Sequence, residues 1–176
     1  MCAGDSPVPE TAVTNTGPPL HLAQIGLEGH LTMFARVSLS AHIREELSRR
    51  GLFERIAMTL GERLGVERVT SQELQAQQAT LVGFTRHQAD WSVAALAARL
   101  APAVVLTDDL ALRRGLEARG QTVVGSVGVL IRAFKTGRCT KADLDTSIDH
   151  LFDGSTLYLS TGFRAYVRQL LQSLPA

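Results

Sequence analysis

The sequence predicts an α/β fold, a three-layer α/β/α sandwich around a central parallel sheet with additional C-terminal helices. Three observations carry this. Short apolar runs alternate along most of the chain with longer helical patterns, the order that parallel strands need because each crossover requires a covering element. The run Ala103-Val104-Val105-Leu106 is continuously apolar, as in a central strand covered on both faces. Beyond Gly137 the pattern is helical alone.

The elements follow in order. Met1 to about Glu10 is small, polar and proline-containing, and residues 1–11 are expected to form a disordered tail ahead of a single domain over residues 12–176. Thr11 to Thr14 reads as a short strand, and Gly17-Pro18-Pro19 as a strand-to-helix turn, because proline suits the first helical turn. Leu20, Leu22, Ala23, Ile25 and Leu27 continue that helix to Gly26 or Gly29. Arg36 to Leu39 is a second strand, with Ser40 as N-cap of a helix from Ala41 to Arg50 that Gly51 ends. Leu52, Ile56, Leu60 and Leu64 recur every fourth residue and predict a helix stopping at Gly65. Val66 to Val69 is a candidate strand, and Thr70 and Glu73 have capping-box spacing. The Gln-rich stretch from Gln72 to Gln78 gives no clear signal. Ala89 to Leu100 is a buried helix broken at Pro102, followed by the central strand and a helix from Leu110 to Arg119. Thr122-Val123-Val124 is the last strand, and Ser126 to Lys135 the helix after it. Thr140 and Asp143 open a helix through Leu151, and a final helix covers Ser160 to Leu174.

Composition narrows the function. The 176 residues carry 18 Lys+Arg against 17 Asp+Glu, a net charge of +1, so no bulk basic field exists and any nucleic-acid site must be local. Only Lys135 and Lys141 of the basic residues are lysines; the arginine excess suits bidentate phosphate pairing, and a GC-rich coding sequence would give the same bias. Cys2 and Cys139 exclude a disulfide framework or a CxxC zinc site. The start lacks a basic and an apolar region, and no apolar run is long enough to span a bilayer, so a cytoplasmic protein is expected.

In parallel α/β sheets ligands bind beyond the carboxyl ends of the strands. Asn15 follows the first strand there, and Thr107, Asp108 and Asp109 follow the central one. Glu45 and Glu46 lie in the helix after the second strand, and Asp90 opens the Ala-rich helix. Carboxylates converging on one cleft repel one another unless a hard divalent cation, Mg²⁺ or Mn²⁺, neutralises them. Each also has a plainer explanation: Asp108 as N-cap, Asp90 as a complement to its helix dipole, and Glu45-Glu46 as a solvated face paired with Arg49 and Arg50.

Val13-Thr14-Asn15-Thr16-Gly17-Pro18-Pro19-Leu20, the Ser40 to Leu47 segment ending in Glu-Glu-Leu, Asp90, and Val105-Leu106-Thr107-Asp108-Asp109 together resemble the PIN domain. The run from Val123 to Ala133, with Gly137 beyond it, is similar to a prokaryotic PIN subgroup described as predicted nucleic-acid binders and related to VapC-type toxins. The resemblance covers about Ala12 to Leu174. It implies an acidic site at Asn15, Glu46, Asp90 and Asp109, with Asp108 as a further ligand of Mg²⁺ or Mn²⁺ beside Glu46, Asp90 and Asp109, and Thr16 and Thr107 in support. It also implies metal-dependent endoribonuclease chemistry, a toxin role with a cognate antitoxin, and a homodimer. Arg86, Arg113 and Arg114, neighbours of the acids in sequence, are candidates for the RNA backbone. The departure is Asn15, where the family has Asp, and it leaves open a catalytically silent nucleic-acid-binding or regulatory protein.

Other motifs fall away. Gly125-Ser126-Val127-Gly128 spells a GxxG, but a strand precedes it, and a strand-to-helix turn explains it better. The Asp108-Asp109 pair would need another Asp on a later strand to make a receiver site. His21, His30, His42, His87 and His150 have no zinc spacing, and no GxSxG occurs. Trp91 is a candidate for base stacking or, more simply, for core packing.

Overall fold

The computed structural model describes residues 10–175. Five parallel strands form one sheet: β1 (Thr11–Thr14), β2 (Arg36–Ser40), β3 (Leu64–Glu67), β4 (Val104–Leu106) and β5 (Val123–Val124), in the order β3-β2-β1-β4-β5. The helices are α1 (Gly17–Gln24), α2 (Ala41–Arg49), α3 (Phe53–Leu60), α4 (Ser71–Thr80), α5 (Gln88–Leu100), α6 (Leu110–Glu117), α7 (Ser126–Lys135), α8 (Lys141–Gly154) and α9 (Thr161–Gln172). The expected three-layer α/β/α sandwich is the observed fold, with α8 and α9 as its helical end.

Burial explains the strand sequences. Val13 pairs in register with Ser38 on one side and Val105 on the other, and Val13, Val37, Leu39, Val105 and Leu106 are all fully or almost fully buried. Such two-sided covering accounts for strands without polar alternation. Helix α5 packs on β1 and β2, and α1 against α3 and α7. The chain builds the sheet outward from β1 through β2 to β3, then returns to place β4 and β5 on the other side. The order therefore reverses between β1 and β4, and beyond the carboxyl ends at such a reversal is where parallel α/β sheets bind their ligands.

Several boundaries differ from expectation, each for a local reason. The helix expected to run through Leu64 to Gly65 stops at Leu60: Gly61 takes a positive φ of 52°, a 3-10 turn follows over Gly61–Arg63, and Leu64 and Gly65 open β3. The strand expected at Val66 to Val69 is thus shifted towards the N-terminus. At Gly65 a side chain would collide with Arg36, whose guanidinium crosses that position to reach Glu67. The Gln-rich stretch is α4, nucleated by the Thr70–Glu73 capping box, which satisfies free N–H groups of the first turn. Helix α5 ends at Leu100, two residues before Pro102, because the residue preceding proline is driven out of the right-handed helical region; Ala101 adopts φ 44°. Thr11, assigned to the tail, lies in β1 opposite Arg36, and Glu10 binds Arg132 through its side chain. The rest of the expected tail, residues 1–9, lies outside the described residues.

Candidate functional site

Beyond the carboxyl ends of β1 and β4 the fold brings together Asn15, Thr16, Glu46 and Asp90, with the Asp109 charge acting on Asp90. Asn15 leaves β1 with its backbone N–H donating to the Leu106 carbonyl at 2.8 Å, which pins it to the neighbouring strand. Its Nδ2 donates to Asp90 Oδ1 at 2.9 Å, while its Oδ1 accepts from the Thr16 backbone N–H. Thr16 in turn donates its hydroxyl to Glu46 Oε2. One chain of hydrogen bonds therefore links Asp90, Asn15, Thr16 and Glu46 across α5, β1, α1 and α2.

Asp90 is 6% exposed and takes a second hydrogen bond on Oδ2 from the Thr85 hydroxyl. Burial pushes its carboxyl above the ordinary carboxylate range, and the negative charges of Asp109 and Glu46 add to that shift; the Thr85 hydrogen bond and His87 act against it. The three carboxylates are thus electrostatically coupled. Asp109 is fixed differently. It is the N-cap of α6, with Oδ1 accepting from the Leu112 N–H at 2.7 Å, and its own N–H donates to Thr107 Oγ1 at 3.1 Å.

The N-cap role considered for Asp108 belongs to Asp109, the residue directly before α6 starts at Leu110. Asp108 points instead towards α7. Its Oδ1 accepts from the Ser126 N–H at 2.7 Å, and its Oδ2 accepts from the Ser126 hydroxyl at 2.5 Å and from His21 Nδ1 at 2.8 Å. Gly17 and Gly125 make room for it; a Cβ on Gly125 would sit 2.7 Å from Asp108 Oδ1.

Thr107 is fully buried and its hydroxyl serves the Asp109 backbone. Arg113 turns inward to the carbonyls of Val123 at 3.0 Å and Thr107 at 3.3 Å, and pairs with Glu117. Arg86 and Arg114 are exposed. Trp91 is half-buried against the core, its indole N–H directed at the Thr85 carbonyl, so it is a packing residue. Glu45 is exposed, as its solvated-face explanation requires.

Sequence reasoning missed Thr85, His21 and Ser126. Thr85 sits five residues before Asp90 in a turn without regular pattern. His21 and Ser126 are far apart in the chain and share only a partner, Asp108, so their grouping has no local signature; the one available hint is Gly17 and Gly125, each one turn or less from them.

A depression of about 390 Å³ lies elsewhere, lined by Gln24, Ile25, Asp149, His150, Asp153 and Gly154, none of which belongs to the carboxylate group.

A search of curated proteins finds no match. A family model described as a PIN domain matches residues 11–173, which takes in every strand, every helix and all of the carboxylates above. The chain belongs to the PIN-domain family.

Proposed function

We propose that the protein is a divalent-metal-dependent endoribonuclease whose working residues are Glu46, Asp90 and Asp109, with Asn15 and Thr16 orienting them. The PIN domain is a nuclease fold, and PIN domains generally depend on divalent metal. The observation that carries the reading is the burial of Asp90 at the reversal point of the sheet, within the field of two further carboxylates. Mutual repulsion at a buried site is costly and is retained where charge has a use.

The donor set suits Mg²⁺ or Mn²⁺: it is made of carboxylate oxygens only, and each is already held in place by a hydrogen bond. Among the described residues no three His, Cys, Asp or Glu side chains cluster tightly enough to surround an ion. Mg²⁺ and Mn²⁺ are commonly held by one or two carboxylates with water completing the shell. Of Asp90, Asp109 and Glu46, one or two would hold the ion directly and the others through its bound water. When bound it supplies an activated water and stabilises charge on the phosphodiester. Asn15 does not join that set, since its oxygen is committed to Thr16; it presents an N–H to Asp90 instead. Thr85 and Asn15 together fix the Asp90 carboxylate from both sides. Asp108 and Arg113 brace the cleft wall, and Arg86 and Arg114 offer exposed cations to the RNA backbone.

The subgroup similarity noted in the sequence supports a toxin role with an antitoxin partner and a homodimeric state. No helix among the described residues is long and apolar enough to cross a membrane. A second reading, a catalytically silent nucleic-acid-binding or regulatory protein, is favoured by the Asn15 amide occupying Asp90. Cleavage of single-stranded RNA with Mn²⁺ separates the two. Activity in the wild type that is lost in Asp90→Asn supports the nuclease. Activity only in Asn15→Asp supports the silent protein, and inertness of both removes the nuclease reading.

A further inference from the structure

The turn between α4 and α5 carries an aromatic ring next to a residue that holds the carboxylate site. Leu81 is fully buried, and its carbonyl accepts from the backbone N–H groups of Phe84 at 3.0 Å and Thr85 at 3.3 Å. Gly83 closes this turn at φ 89°, a conformation that favours glycine. From the core side, the Trp91 indole N–H donates to the Thr85 carbonyl at 3.4 Å. Neighbouring residues of the fixed turn then differ sharply. Thr85 is buried and gives its hydroxyl to Asp90, whereas Phe84 is 40% exposed.

The exposed ring is nevertheless seated. It lies against Gly115 of α6, where a Cβ would come 3.2 Å from Phe84 Cγ and 2.7 Å from Leu81 Cδ2. Glycine weakens a helix interior, and here it lets the ring approach the backbone. Gly115 is six residues beyond Asp109, about 9 Å of helix rise. Phe84 is thus tied to Asp90 through Thr85 and to Asp109 through α6. Two exposed arginines flank these contacts in the chain, Arg86 two residues after Phe84 and Arg114 next to Gly115, and neither forms an ion pair among the described residues.

Single-stranded nucleic acid is held by aromatic side chains on which bases stack, within positive charge that tracks the backbone. We propose that Phe84 is a base-stacking residue, the exposed part of its ring taking a nucleobase of an RNA strand that passes Asp90 and Asp109, with Arg86 and Arg114 on the flanking phosphates. The two cations favour this anionic occupant over an apolar protein segment. The inference rests on the ribonuclease reading and adds a contact to the bases themselves, one that tolerates any sequence because every base has a stacking face.

Fluorescent single-stranded oligo(A) RNA and an abasic strand with the same ribose-phosphate backbone are titrated by anisotropy in EDTA. The proteins are the wild type, Phe84→Leu and Phe84→Trp, with thermal midpoints as the folding control. Leucine refills the seat on Gly115 without a ring, and tryptophan keeps one. The wild type is expected to prefer the base-carrying strand about tenfold, roughly 1.4 kcal/mol. Phe84→Leu loses that preference while binding the abasic strand as before, and Phe84→Trp retains it. Phe84→Leu discriminating as well as the wild type, which would leave the patch to a protein partner, overturns the assignment. So does a variant that weakens both strands equally, the mark of a structural role. In either case RNA cleavage by the wild type with Mn²⁺ keeps the ribonuclease reading. A wild type that neither binds nor cleaves RNA removes both.

Discussion

Replacing Asp108 by alanine should unfold the protein far more readily than its single position suggests. The carboxylate is the shared acceptor for the Ser126 N–H, the Ser126 hydroxyl and His21, and both it and His21 are only about one-tenth exposed as side chains. Asp108→Ala leaves three donors without an acceptor in a nearly dry place. A donor so stranded costs about 1–3 kcal/mol, but neighbouring losses do not add and the helix N-terminus regains some water. The expected net loss is about 3–5 kcal/mol, the lower part of what three stranded donors would sum to. For a chain of this size that lowers the midpoint by roughly 6–20 °C. Asp108→Asn keeps an oxygen for the Ser126 N–H and an amide for the remaining two partners, so it should cost only about 1 kcal/mol. Gly125→Ala drives a methyl into Asp108 Oδ1 and should cost about 1–3 kcal/mol alone, yet much less once Asp108 is alanine. Thermal and urea unfolding followed by circular dichroism reads the four variants against the wild type. A shift under about 3 °C for Asp108→Ala, or equal effects of Asn and Ala, refutes the reasoning.

Two further outcomes follow from the same geometry. Because burial and its acidic neighbours raise the Asp90 carboxyl, its protonated form stabilises the fold. That contribution is complete below the ordinary carboxylate range and is lost as pH rises through the raised folded value. Asp90→Asn, whose amide can still face Asn15 and Thr85, should therefore match the wild type in acid, exceed it in urea midpoint at neutral pH, and fail to cleave RNA; a variant less stable at neutral pH contradicts the electrostatic argument. At Asp109 capping and chemistry can be separated: Asp109→Ala should cost about 1 kcal/mol in urea unfolding through loss of the α6 cap, Asp109→Ser should retain most of it, and both should be inactive with Mn²⁺.

The sequence carried the architecture well where local physics decided it. The helix α7 was legible to the residue because Gly125 and the apolar stripe of Val127, Leu130 and Phe134 admit no alternative, and the capping boxes at Thr70 and Thr140 marked their helices correctly. It failed at Leu64, where a fourfold apolar repeat continues past a glycine that in space reverses the chain; periodicity cannot sense a positive φ. The candidate site divides the same way. Asn15, Asp90 and Asp109 were findable because strand ends and helix starts are local features. The partners of Asp108 were not: its contacts with His21 and Ser126 depend on how α1 and α7 pack, which no spacing encodes. Thr85 was hidden for the opposite reason, as an ordinary-looking turn residue whose role comes only from Asp90 being buried beside it.

The two outer strands bear on how copies of this chain can meet. Strand β5 pairs through only two residues, and the carbonyl of Val123 already accepts from Arg113. At the other margin β3 is four residues long, and Arg36 lies across Gly65 on one face of the sheet to hold Glu67, so a charged pair flanks that strand. Short, charged margins of this kind resist recruiting a further strand and protect against edge-to-edge aggregation. Were copies to associate, such margins would steer contact to the helical layers, which would leave the sheet's hydrogen-bonding pattern as it is.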